Sequence, residues 1–215
     1  MVPATSELDL VPPTDPSLNQ PAEAVKPGEI ISGEVQSVID RMLQLAAGKG
    51  HSKHDSRQMV GLAAPQIGYH KRIIIIDMAA DGSLKEQSIQ ICINPRITQH
   101  SSQTVPGREG CWSCGNICGS VERAQSVTLE ALDREGNPVK LELTGFTARI
   151  AQHETDHLDG TRFPDRIPED QPEKLHWVRP EEFEAYRTQW QTWSHLCHRE
   201  KWLEIKHSKK NIISG

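Results

Sequence analysis

Gly145-Phe146-Thr147-Ala148-Arg149-Ile150-Ala151-Gln152-His153-Glu154-Thr155-Asp156-His157-Leu158 is the stretch on which the reading of this chain turns. Its pattern is helical, and Gly160 follows where a helix is expected to stop. His153 and His157 are one helical turn apart, so they share a face, with Cβ atoms about 5–6 Å apart. Two imidazoles placed this way can bind one small cation, and Glu154, one step from His153, can reach a water on that cation. The competing reading, a purely structural histidine pair, is the weaker one on so helical a segment.

Working outward, residues 126–132 and 138–143 read as strands joined by Asp133-Arg134-Glu135-Gly136-Asn137, which has hairpin-turn chemistry. Arg72 to Met78 carries four consecutive isoleucines, a buried-strand signal. Ile91 to Ile97 is a further strand that Pro95 assigns to an edge or a strand end. Val35, Val38, Ile39, Met42, Leu43 and Leu45 predict a helix from Gly33 to about Gly48. Lys49 to Gln58 then reads as an exposed loop in which His51 and His54 are solvated. Past the histidine helix, Pro164 and Pro168 break the chain. A last helix is expected from Pro180, with Phe183, Tyr186, Trp190, Trp193 and Cys197 along one packing face.

The bulk composition narrows the classes. At 215 residues, 36% hydrophobic and 25% charged, the chain suits one globular domain rather than a disordered protein. A net charge of −5 without a long basic run argues against direct nucleic-acid binding. No apolar stretch approaches the roughly 20 residues that span a bilayer, so no membrane association is expected. The opening residues, acidic and without Arg, read as neither a secretory signal nor a transit peptide. Five cysteines cannot all pair within one chain, and Cys111, Cys114 and Cys118 crowd together. In a reducing compartment that crowding suggests metal or reactive thiols. With no partner pair elsewhere, Cys114 and Cys118 read as loop or core thiols rather than as a second metal site.

The histidine pair fits two enzyme classes, and the third ligand decides between them. A zinc metallopeptidase takes that ligand from downstream. Gly160 stands in the right place for the longer protease pattern, but its final position is Phe163, which cannot bind metal. Glu181, Glu182 and Glu184 also lie downstream and leave the shorter form open.

Three segments point elsewhere. Gly61-Leu62-Ala63-Ala64-Pro65-Gln66, Glu109-Gly110-Cys111-Trp112-Ser113 and Gln152 to Gly160 resemble, in order and spacing, the three signature motifs of the peptide deformylase family. The resemblance covers roughly residues 12–167. It implies an α+β fold, with mixed or antiparallel strands packed around a central metal-binding helix, and adds a C-terminal helix here. Residues 1–29 are then an irregular arm, 30–170 the catalytic core and 171–215 a helical extension of the same domain.

The resemblance further implies that Cys111, His153 and His157 hold one divalent ion, Fe²⁺ in the family, for which Zn²⁺, Ni²⁺ or Co²⁺ can substitute. It makes Glu154 the general base and then acid, and gives Gln66 and the Trp112 backbone N–H to the oxyanion. Val60, Phe146, Ile150 and His153 map to the methionine pocket. Gly61, Glu109 and Gly110 line the peptide site, where the peptide adds as a strand, and Arg123 is expected at the peptide backbone. The implied reaction removes the formyl group from formylmethionine of nascent peptides, near the ribosome, in bacterial cytoplasm or an organelle matrix. Met59, Trp112 and Val121-Glu122-Arg123 depart from the family pattern. Trp112, where the family usually has Leu, is expected to change peptide preference.

Overall fold

The isoleucine run forms β2 (Ile73–Asp77) in a computed structural model that describes residues 10–48, 59–82 and 86–208. The strand's period of two sends Ile73 and Ile75 into one apolar cluster and Ile74 and Ile76 into another. Each such side chain taken wholly out of water contributes roughly 1.5–3 kcal/mol, so β2 needs cover on both faces. On one face α1 (Gly33–Ala46) buries Val35, Val38, Ile39, Met42 and Leu45. Ser32 caps that helix by accepting from the Val35 N–H, and Gly48, at φ +73°, turns the chain away from it. On the other face lies α2 (Gly145–Leu158), which spans the stretch read as helical.

Five antiparallel strands build this sheet in the order β1-β2-β3-β6-β7. They are β1 (Gly61–Ala63), β2, β3 (Ile89–His100), β6 (Ser126–Leu132) and β7 (Pro138–Thr144). Between β6 and β7, Gly136 takes φ +90° and Asp133 accepts from Glu135 N and Asn137 N, giving the expected hairpin. A second antiparallel sheet, β4 (Thr104–Gly110), β5 (Ile117–Ala124) and β8 (Leu175–Trp177), covers the far side of α2. The helix is thus central, and its polar residues facing β5 are paired. Gln152 donates to Ala124 O and accepts from Ala124 N, and Arg149 donates to Val121 O at 2.8 Å.

Two expectations need correcting. Pro95 lies in an interior strand, not at an edge or an end, because β3 is flanked by β2 and β6. A bulge accommodates it: the register shifts between Ile93 and Arg96, and Asn94 adopts φ 52° with its side chain bonded to Val25 N and O. The single helix expected from Pro180 is broken. A short α3 (Phe183–Gln189) ends in a tight turn, and α4 (Arg199–Lys206) follows separately. Between them the chain pairs with β8, Trp177 N donating to His195 O and Cys197 N to Leu175 O. Sheet pairing outweighs a helical spacing that no local signal contradicts. The polar loop read over 49–58 lies outside the described residues.

Arg162 ties the segment around Pro13 and Asn19, together with α4, to the core. Its buried guanidinium donates to Pro13 O, Asn19 Oδ1 and Ser113 O, and stacks 4.5 Å from the Trp202 ring centroid. Trp202 is itself fully buried and donates to Asp165 Oδ1.

Candidate metal centre

Helical spacing puts His153 and His157 on one face of α2, their ring centroids 5.0 Å apart. The loop leaving β4 brings Cys111 to them. Its Sγ lies 3.3 Å from His157 Nε2, and the donor atoms of the three residues fall within 4.8 Å of one another. A tetrahedral ion with bonds of about 2.0–2.3 Å has ligand atoms roughly 3.3–3.6 Å apart, so the cluster fits one divalent ion with little adjustment. A thiolate with two imidazoles is a transition-metal donor set. The downstream glutamates are not brought here: Glu182 is paired with Arg179, and Phe163 stacks on His153 at 6.1 Å.

Glu109 orients the cluster. Its buried carboxylate accepts from His153 Nδ1 at 2.9 Å, which fixes the N–H there and leaves Nε2 for a metal. It also accepts from Arg123 Nε and Nη2, each at 2.9 Å, and from Arg149 Nη1 at 2.7 Å. Arg123 continues the network to Asp156, 2.6 Å away, which also binds Arg166. Burial alone pushes the Glu109 carboxyl up, but the His153 and Arg123 bonds outweigh it and hold it ionised, well below the usual range. The Cys114 thiol, helped by His157 and His153, lowers the Cys111 thiol well below its ordinary value against the cost of burial. Burial pushes Glu154 up to about 7.

Glu154 and Gln66 flank the donors. Among the described residues Glu154 Oε2 is buried without a hydrogen-bond partner, as suits an oxygen that meets a water in the site. Gln66 accepts from Ala63 N at 2.9 Å, which turns its amide nitrogen toward Ser113 Oγ (3.1 Å) and Cys111 Sγ (3.5 Å). β1 passes so close that a Cβ on Gly61 would lie 2.6 Å from Glu154 Oε1.

Glu154, Gln66 and Gly61 line one cleft of about 710 Å³, as do Glu109, Gly110, Cys111, Trp112 and His153. Val60, Phe146 and Ile150 line it too, and Val60, Trp112 and Phe146 expose apolar surface there. His157 sits buried behind the cleft. Arg123 is the misplaced expectation: it is buried and bonded to Glu109 and Asp156, so it supports the site from behind instead of reaching a peptide. Sequence reasoning missed Arg149 and Asp156. Their signal was charge inside a helix otherwise fit for burial, one turn either side of His153.

An α+β fold that gathers a cysteine and two histidines at its central helix has the donor set of a transition-metal protein. Comparison with known proteins makes the class specific. The family model for polypeptide deformylase matches residues 8–173. A peptide deformylase of Chromohalobacter salexigens is 38% identical over 141 residues, covering 66% of this chain and 76% of that one. The chloroplastic peptide deformylase 1A of Solanum lycopersicum is 33% identical over 171 residues, covering 74% and 59%. A class I type b peptide deformylase of Acinetobacter baumannii, solved with Met-Ala-Ser bound, superposes with a TM-score of 0.64 at 32% identity, covering 75% of this chain and 99% of that one. The chain belongs to the peptide deformylase family, metalloenzymes that remove the N-formyl group from nascent peptides. No helix among the described residues is long and apolar enough to cross a membrane.

Proposed function

We propose that this chain hydrolyses the formamide of N-formylmethionyl peptides, with Cys111, His153 and His157 holding the ion and Glu154 moving the proton. The observation that carries this reading is the convergence of those three donors within 4.8 Å beside the unpartnered Glu154 carboxylate oxygen. When bound, the ion, Fe²⁺ in our reading and replaceable by Zn²⁺, Ni²⁺ or Co²⁺, supplies Lewis-acid chemistry that acidifies water and polarises a carbonyl.

The peptide lies along the open edge of β1, since among the described residues that strand pairs on one side only, with β2. Its methionine side chain enters among Val60, Phe146 and Ile150, beside the His153 ring. As water attacks the formyl carbon, the Glu154 carboxylate takes a proton from that water. The Gln66 amide and the Trp112 N–H donate to the oxygen that gains charge. Glu154 then delivers the proton to the amine nitrogen as the C–N bond breaks, releasing formate and a free N-terminus. The close packing of Gly61 and Ile150 on Glu154 leaves room for a formyl hydrogen and crowds out a longer acyl chain. Formylated starts arise in bacterial and organellar translation, so we infer that the enzyme meets nascent chains near the ribosome in one of those compartments.

Formate release from formyl-Met-Ala-Ser, measured against acetyl-Met-Ala-Ser and in Glu154→Gln, tests the reading. Formate from the formyl peptide alone, lost in the variant, is expected. Turnover surviving in Glu154→Gln would remove Glu154 from the proton path.

A further inference from the structure

The family match ends at residue 173, yet the cleft does not stop there. β8 joins the second sheet one strand beyond the Cys111 loop, Trp177 pairing with Ile117 and His176 with Cys118. Val178 N then donates to Asn116 O at 2.9 Å. That pairing carries the following residues to the cleft, which Pro180, Phe183, Tyr186 and Arg187 line together with Cys111 and Glu154. The added wall is firmly built. The Tyr186 hydroxyl is bonded to His176 Nδ1 at 2.9 Å, its ring meets Trp193 edge-on at 5.2 Å, and Cys118 and Val178 pack beneath it.

Its charge is uneven. Three arginines line the cleft, Arg108, Arg149 and Arg187. Arg149 is consumed by Glu109 and by the carbonyls of Val105 and Val121. Both acidic lining residues are buried, and Glu109 is already paired with two arginines. Arg108 is exposed and, among the described residues, has no ion pair, while Arg187 has there only the exposed Glu184 at 3.4 Å. The mouth of the cleft therefore offers two solvent-facing cations in a chain whose net charge is −5.

We propose that this wall reads the peptide beyond its methionine, and that Arg108 and Arg187 favour an acidic side chain at its second or third residue. The inference rests on the deformylase reading of the site. A formylated N-terminus carries no charge, so a charged side chain just behind it dominates what the cleft mouth senses. Two partly screened contacts of this kind give about a three- to tenfold preference. Because the same contacts exist before and during the reaction, the preference falls on KM and not on kcat.

The experiment compares formate release from formyl-Met-Asp-Ser, formyl-Met-Ala-Asp and their lysine counterparts, in the parent and in the Arg108→Gln/Arg187→Gln double variant. In the parent an aspartate peptide is expected to beat its lysine counterpart about three- to tenfold in kcat/KM at low salt, through KM. The gap should narrow at about 0.5 M salt, where the Debye length falls to a few ångströms. In the double variant the ratio should approach one, and the Arg108→Glu/Arg187→Glu double reversal should invert it. An acid-to-lysine ratio of one in the parent, or the same ratio in parent and double variant, overturns the proposal. Turnover of no formyl peptide at all would instead strike down the activity on which it rests.

Discussion

Replacing Glu109 with Gln exchanges one carboxylate oxygen for an NH₂ group and disturbs the buried polar cluster beside His153 and His157. The carboxylate accepts four hydrogen bonds, two from Arg123 and one each from Arg149 and His153. A carboxamide keeps one acceptor oxygen and turns an N–H₂ toward donors, so contacts on one side are lost. The side chains of Arg123 and Arg149 are only 5% and 9% exposed, and water cannot take over the lost charge. Breaking a buried pair by removing one partner costs about 3–5 kcal/mol. His153 loses the acceptor that fixes its ring, which typically weakens metal affinity about 10–100-fold. Urea unfolding followed by circular dichroism measures the first effect, and competition with a chelator the second. Glu109→Asp, which keeps the charge on a shorter stem, should recover part of both. A Glu109→Gln protein with the parent's unfolding midpoint and ion affinity would refute the network as a support of the site.

Other consequences follow from single contacts. Gly61→Ala drives a methyl to within 2.6 Å of Glu154 Oε1 and 2.7 Å of Ile150; formate release should drop about a hundredfold, and a rate within twofold of the parent would contradict the close approach. Trp202→Ala empties a fully buried site and should cost about 3–5 kcal/mol in urea unfolding. Burial pushes the Asp165 carboxyl up, but Lys206, Trp202 and the Arg162 N–H outweigh it and hold it below the usual range. Its folded pKa being the lower one, Asp165 adds stability above about pH 4 and loses it as pH falls through the folded value. Paired unfolding curves at several pH values should show the gap between parent and Asp165→Asn closing below pH 4; a gap constant with pH would argue against the ion pair.

Legibility followed the range of the signals. α2, β2, the β6–β7 hairpin and α1 are written locally, by periodicity, Ile content and turn residues, and the structure contains all of them. β4 and β5 were invisible because Thr104-Val105-Pro106-Gly107 and Ile117-Cys118-Gly119 carry Pro and Gly where strands usually carry bulk. Those glycines answer to partners far along the chain: a Cβ on Gly107 would strike the Arg149 guanidinium at 2.6 Å, and one on Gly119 would strike Ile167 at 2.7 Å. The histidine pair was legible from spacing alone, whereas Cys111 as its companion needed the family pattern. The hidden role of Arg123 depends on carboxylates at positions 109 and 156, and no local pattern encodes a buried ionic network. Likewise the wall added by Phe183, Tyr186 and Arg187 follows from β8 pairing with β5, a three-residue match too short to stand out.

The clamp formed by Arg162 has a consequence for the order in which this protein can be made. Arg162 holds Ser113 O, two residues from Cys111, and rests against Trp202. During synthesis the N-terminal arm, both sheets and α2 all precede α4. A growing chain that has not yet reached Trp202 already contains Cys111, His153 and His157 and lacks the indole that covers the arginine bonded beside Cys111. Burial of that arginine is therefore complete only once α4 has emerged.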